Sequence, residues 1–405
     1  MTRGSIEEYT ELMRRRYVGA SKKVKGRLLD EYTEVTGYHR KSAIRILCRG
    51  SRPKGSKCRG RPRRYGPLVA EALKVVWEAS DRLCSRRLHP FLPELVKILR
   101  RHGEQVPSAE IEAELCRMSA STIDRLLRPW RQIGGRRCLT TTKPSSLLKG
   151  HIPIRTFAEW QENRPGFLEV DLVAHCGESS EGFYLTTLST VDIATGWVEC
   201  LGVWGKGQNR VGGAVHRLRQ RLPFPLLGLD SDNGSEFINH RLYAYCQREG
   251  ITFTRSRPYK KNDSCHVEQK NWSVIRRLVG YDRYSSRASL ETLNRVYDLI
   301  RLYVNFFQPV MKLASKTRHG AKIRKVYDRA RTPYQRLLEA NVLPEVKRRE
   351  LAATYYGLNP VLLLGQINEN LEHLWRLAEH PTHQPSAKPN QSSVTAIYDA
   401  TMAVR

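Results

Sequence analysis

Residues 167–175 read FLEVDLVAH, and four further runs share their character: FYLTTLSTV (183–191), GWVECLGVW (196–204), PLLGLDS (225–231) and ITFTRS (251–256). Each is short and rich in β-branched and aromatic residues, which predicts a strand. Ala194-Thr195-Gly196 supplies a turn between the second and third, so the first three strands form a hairpin meander. Helices are expected over 208–221 and 239–248, the fifth strand follows, and two more helices come after it. The fold class expected for residues 161–310 is therefore α/β, a mixed five-stranded sheet with flanking helices.

Three carboxylates take distinctive places on this frame. Asp171 lies inside the first strand, Asp232 directly after the fourth, and Glu268 early in the helix after the fifth. Singly, each has a bland reading: an edge-strand gatekeeper, an Asp-Asn-Gly turn, a surface helix residue. Together they offer hard oxygen ligands from rigid elements, which phosphoryl transfer with a two-metal clamp requires. Glu169 and Asp230, each two positions earlier, should point to the same side of their strands, and Asp192 in the second strand is a weaker candidate. Asp232 is preferred to Asp230 because it immediately precedes Asn233-Gly234, where the backbone turns and a nucleic acid can approach.

The element order is the ribonuclease H-like one. Sixty residues separate Asp171 from Asp232 and 35 separate Asp232 from Glu268, with SDNGSEF (231–237) around the second. This pattern resembles the Asp, Asp, 35, Glu signature of retroviral integrases and bacterial insertion-sequence transposases, over about residues 164–310. SRPYKKND (256–263) with HVEQKNW (266–272) is similar to the strand, loop and Glu-bearing helix of the insertion-sequence group, and TPYQRLL (332–338) and LNPVLLLGQI (358–367) resemble its C-terminal part. The resemblance implies a DNA transposase that cleaves the 3′ ends of its element and joins them to target DNA, as a homo-oligomer on double-stranded DNA. It implies two Mg²⁺ ions on Asp171, Asp232 and Glu268, with Mn²⁺ able to substitute. Two rival functions keep parts of this reading: a ribonuclease H-like nuclease that only hydrolyses, and an inactive relic serving as a DNA-binding regulator.

Charge points the same way. The 405 residues carry 69 Lys+Arg against 40 Asp+Glu, a net +29, which calls for a polyanionic partner. Residues 1–65 concentrate 19 cations against 6 acids. Residues 1–50 read as a helix-turn-helix domain. Ser5 and Glu8 suggest a capping box ahead of Ile6, Tyr9, Leu12 and Met13, and a second helix carries Val24, Leu28, Tyr32 and Val35 to a stop at Gly37. The third sets Ile44, Leu47 and Cys48 toward the core and Lys41, Arg45 and Arg49 on the opposite, DNA-reading face.

Residues 51–66 form a basic linker whose Arg59-Gly60-Arg61-Pro62, with Arg63 after it, reads either as an AT-hook entering the minor groove or as a tether binding phosphates. A second helical, helix-turn-helix-like domain is expected over 67–130 and another linker over 131–160. Lys260, Lys261, Lys270, Arg276 and Arg277 around the Glu268 helix are candidate phosphate contacts, and residues 311–378 a basic DNA-contacting region, as small barrel or helical tail. Residues 379–405 read as a disordered tail. Nine scattered cysteines without a CxxC pair argue against disulfides or zinc fingers, no run approaches membrane-span length, and no GxxxxGK[ST] loop suggests a nucleotide. A cytoplasmic, nucleoid-associated protein is expected.

Overall fold

The computed structural model describes residues 3–48, 64–104, 107–131, 164–232, 234–257 and 264–379. They divide into two compact units between Arg64 and Tyr65. The first holds α1 (Arg3–Val18), α2 (Lys22–Thr36) and α3 (Arg40–Cys48) around its own core of Met13, Tyr17, Leu28, Leu29, Tyr32, Ala43 and Leu47. Gly37 ends α2 at φ 69°, and its N–H donates to Thr33 O, the left-handed stop that glycine takes without strain.

The buried stripes match those expected only in part. Met13, Leu28, Tyr32 and Leu47 are buried as expected, but Leu12, Val24, Val35, Ile44 and Cys48 are exposed, Leu29 and Ala43 pack inward in their place, and Ser5 lies inside α1 rather than capping it. Three short helices crossing one another select the face that touches both neighbours. The buried Thr10–Tyr32 hydroxyl contact at 2.8 Å fixes that choice. Lys41 and Arg45 remain exposed.

The second unit opens with α4 (Pro67–Ala79), α5 (Ser85–Arg101), α6 (Ala109–Cys116) and α7 (Ala120–Leu127), the last capped by Ser119, which accepts from Thr122 N–H. These helices share one continuous core with the rest of the unit rather than closing on themselves. Tyr303 Oη donates to Ala79 O at 3.0 Å, Arg87 Nε to Pro309 O at 2.6 Å, and Gln308 Nε2 to Ser80 O at 2.9 Å. Residues 67–130 are thus a layer of the larger unit, bound to it by hydrogen bonds to backbone carbonyls on both sides of the contact.

The sheet comprises β1 (Phe167–Ala174), β2 (Thr186–Asp192), β3 (Val198–Val203), β4 (Gly228–Ser231) and β5 (Thr252–Arg255) in the order β3-β2-β1-β4-β5. β1, β2 and β3 run antiparallel, whereas β4 and β5 run parallel to β1. This is the ribonuclease H-like mixed sheet, flanked by α8 (Gln208–Arg221), α9 (His240–Arg248) and α12 (Arg287–Phe307). Every residue of β2 and β3 is buried, so both faces are covered and neither strand alternates cleanly. The Asn305 carboxamide closes both backbone groups of Val198 at 2.8 Å, pinning α12 to β3.

A hairpin of β6 (Leu313–His319) and β7 (Lys322–Tyr327) follows, then α13 (Pro333–Glu339), α14 (Glu345–Gly357) and α15 (Pro360–Arg376). Of the two architectures open for this region neither forms alone: no barrel is built among the described residues, and the helical part follows a two-stranded hairpin. Among the described residues no helix is long and apolar enough to cross a membrane.

Candidate active site

The site begins with strand register. β1 and β4 pair in parallel as Glu169↔Asp230 and Val170↔Ser231, so Asp171 and Asp232 occupy the next positions, side by side where β4 ends. Asp232 Oδ1 accepts from Gly234 N–H at 2.9 Å, which ties the carboxylate into the turn. Asp171 is half-buried. Its Oδ1 accepts from Leu172 N–H at 2.7 Å and its Oδ2 from Asn271 Nδ2 at 2.6 Å. Burial holds its carboxyl above the usual carboxylate range, and the two N–H donors and Arg276 offset part of that rise.

Glu268 sits exposed on α10 (Cys265–Lys270), which continues through a π-helical segment (Asn271–Arg276) into α11 (Arg277–Val279). The first turn of α10 is fastened to the sheet by the residue before Glu268: Val267 N–H donates to Glu169 Oε2 at 2.8 Å. Glu169 is fully buried, and its carboxyl is pushed up to about 8, by burial first and then by the nearby Asp230 and Glu268 carboxylates.

The other strand acids therefore have structural work. Asp230 accepts from Thr254 Oγ1 at 2.5 Å inside the sheet. Asp192 accepts from Gly166 N–H at 2.8 Å and Thr195 N–H at 2.7 Å, closing the β2–β3 turn. Glu169, Cys265 and His266 bring their donor atoms within 4.8 Å of one another, a mixed carboxylate, thiol and imidazole set. Asp171, Asp232 and Glu268 do not form so tight a group among the described residues. Burial, then Lys312 and Lys270, depresses His266 to about 4, so its ring is neutral near pH 7.

The expected basic contacts sort unevenly. Lys270 is a correction: it shares the inward face of α10 with Val267, is only 8% exposed, and is pushed down to about 7 by burial and by Arg87, so it offers no surface charge. Arg276 donates to Ala174 O at 2.7 Å and lies over the Tyr281 ring, which engages it with the end of β1. Arg277 pairs with Asp81 on the α4–α5 connection. Arg49, Arg59, Arg61, Arg63, Lys260 and Lys261 lie outside the described residues.

Two groups escaped the sequence reading. Asn271 is three residues after Glu268, a spacing that places both on one helix face and could have revealed it. Glu236 is half-buried with its carboxyl folded over Gly234. Burial raises its pKa, the Asp171 carboxylate adds to the rise, and Lys206 opposes it.

No family model matches the chain. Among solved structures, the catalytic core of BIV integrase is similar at 23% identity, covering 44% of this chain and 95% of that one, with a TM-score of 0.30. The HTLV-2 integrase core, solved with magnesium in a dimeric form, matches at 16% identity over 36% of this chain and 91% of that one, with a TM-score of 0.28. A protein of Sinorhizobium fredii described as uncharacterized protein y4rM is 46% identical over 322 residues, which span 79% of this chain and 91% of that protein. With that identity sustained across nearly the whole relative, the chain belongs to the same family as y4rM.

Proposed function

We propose that the protein is a DNA transposase of the integrase-like type, which binds the ends of a mobile element, cleaves their 3′ ends and joins them to target DNA. The observation that carries this reading is the placement of Asp171 on β1 beside the end of the parallel strand β4, which Asp232 immediately follows, with Glu268 on a helix hydrogen-bonded to β1 two residues before Asp171. The donor set is all carboxylate oxygen, which suits a hard divalent cation. Asp171, Asp232 and Glu268 would hold two Mg²⁺ ions, for which Mn²⁺ can substitute, and such ions activate an attacking oxygen and stabilise a leaving one.

The chain's own residues prepare that chemistry. Asn271 orients the Asp171 carboxylate, the Gly234 N–H orients Asp232, and Glu169 holds the start of the helix bearing Glu268. The helix-turn-helix reading of α1–α3, with Lys41, Arg45 and Arg49 toward DNA, gives the enzyme its grip on element ends, and Arg59, Arg61, Arg63, Lys260 and Lys261 extend it along the phosphate backbone. A homo-oligomer at the bacterial nucleoid, needing no nucleotide, completes the proposal.

The test is strand transfer by purified protein on labelled ends of its own element in Mg²⁺ or Mn²⁺, beside Asp171→Ala, Asp232→Ala and Glu268→Ala. Joined products lost in all three variants, with DNA binding retained, support the transposase. Cleavage without joining makes it a nuclease, and binding alone, unchanged by the substitutions, makes it a regulator.

A further inference from the structure

The β6–β7 hairpin is unusual in what it lacks. All thirteen residues of its two strands are exposed, so neither face packs on the unit from which it rises. A lone two-stranded ribbon gains little from burial and is marginal in water. Its charge makes matters worse: Lys316, Arg318, Lys322, Arg324 and Lys325 face no acid anywhere between residues 313 and 327. Register sets Lys316 directly opposite Lys325, and like charges in opposed cross-strand pairs are destabilising.

The root, by contrast, is firmly built. Lys312 N–H donates to Asp328 Oδ1 at 2.7 Å, Arg336 Nη2 reaches Asp328 Oδ2 at 2.8 Å, and the Lys312 ammonium donates to the carbonyls of Ile193 and Ala194 at the β2–β3 turn. Below that, Val310 and Arg331 form a bridge through N–H donation at 2.8 and 3.1 Å. A rigid base thus carries an arm whose cations repel one another until an anion arrives.

We propose that this hairpin stands between the two phosphate backbones flanking a groove of duplex DNA, one face toward each. Residues opposite one another share a face. One face carries Lys316, Arg318 and Lys325, and the other Lys322 and Arg324. A two-stranded ribbon is of a size that the major groove admits. The inference deepens the proposed function and rests on its DNA-binding part.

The experiment measures binding of the full chain to a labelled random-sequence duplex in EDTA, across a range of salt concentrations. Wild type is compared with Lys316→Gln/Arg318→Gln/Lys325→Gln, with Lys322→Gln/Arg324→Gln, and with all five combined. Glutamine leaves the backbone ladder in place and, at Lys316 and Lys325, removes a repulsive cross-strand pair, so these variants keep the hairpin. Each neutralised phosphate contributes about 0.9 to the slope of log K against log salt, so the slope falls by about 2.7, 1.8 and 4.5 respectively. Lys316→Arg/Lys325→Arg keeps the wild-type slope. A slope moved by one face alone means the ribbon lies flat and overturns the proposal, as does a slope moved by neither. Since no cleavage is measured, the test separates from the core's: a protein that joins ends yet shows unchanged slopes loses only the ribbon, and one that shows the falls but never cleaves loses only the catalytic reading.

Discussion

Asn271 donates from Nδ2 to Asp171 Oδ2 at 2.6 Å, one helical turn after Glu268 on the same continuous helix. The π-helical segment begins at this asparagine, and such segments occur frequently at functional sites. Replacing Asn271 by Ala leaves the fold intact but frees the Asp171 carboxylate to rotate. Metal-dependent end cleavage should fall about 10–100-fold, the usual effect of losing an outer-shell partner. Asn271→Asp sets a second negative charge against Asp171 and should be at least as damaging. Single-turnover cleavage at several Mg²⁺ concentrations checks both, and wild-type rates in either variant would remove Asn271 from the site.

Glu169 offers a related test, because it touches the start of the helix rather than a reacting group. Glu169→Gln retains an oxygen acceptor for Val267 N–H, whereas Glu169→Leu removes it from a fully buried position. The Gln variant should keep most cleavage activity and the Leu variant should demand more Mg²⁺ for half-maximal rate. Equal Mg²⁺ requirements in the two would show that this hydrogen bond does not position Glu268.

His175 gives the protein an acid limit. Its ring is fully buried, Nε2 lies 2.7 Å from Thr187 Oγ1, and burial, reinforced by Arg276, drives its pKa down to about 3 from the ordinary 6.5. The unfolded chain therefore binds a proton that the folded chain refuses between about pH 6.5 and 3. Stability from this group is present above 6.5 and is lost as pH falls through that window. Urea denaturation at pH 7 and pH 4.5 should show a smaller acid loss in His175→Gln than in wild type. Equal losses would assign the acid sensitivity to the carboxylates alone.

Arg301 supports the far side of the sheet. Its Nε lies 2.6 Å from Glu199 Oε1, and the buried Glu199 also accepts from Trp197 Nε1 at 2.9 Å and faces Arg221 at 3.4 Å. Arg301→Ala strands a buried carboxylate and should cost about 3–5 kcal/mol by denaturant unfolding, reduced to the extent that Arg221 compensates. A double replacement, Glu199→Leu with Arg301→Leu, should recover much of that loss, and failure to recover would point to lost packing instead.

The shared core makes a prediction about fragments. Residues 1–64 contain their own apolar cluster, whereas α4–α7 belong to the cluster of the sheet and C-terminal helices. A 1–64 fragment should melt cooperatively, and a 65–131 fragment should not. Cooperative unfolding of the latter by circular dichroism would contradict the joint core.

The sequence by itself determined the sheet and the placing of its acids. Five short β-rich runs, a turn at Gly196 and two amphipathic helices suffice to order the elements, because hydrophobic period and turn chemistry are local. Asp171, Asp232 and Glu268 could be assigned to strand, strand end and helix for the same reason. Only the tertiary structure decided which neighbouring acids were already engaged. Glu169 anchors a helix nearly a hundred residues away, Asp192 closes a turn, and Lys270 lies buried where charge composition had suggested a surface cation. It also decided that residues 67–130 form a layer rather than a domain, and that β6–β7 stands with both faces exposed. Burial and partner choice depend on contacts between segments distant in sequence, and local periodicity carries no record of them.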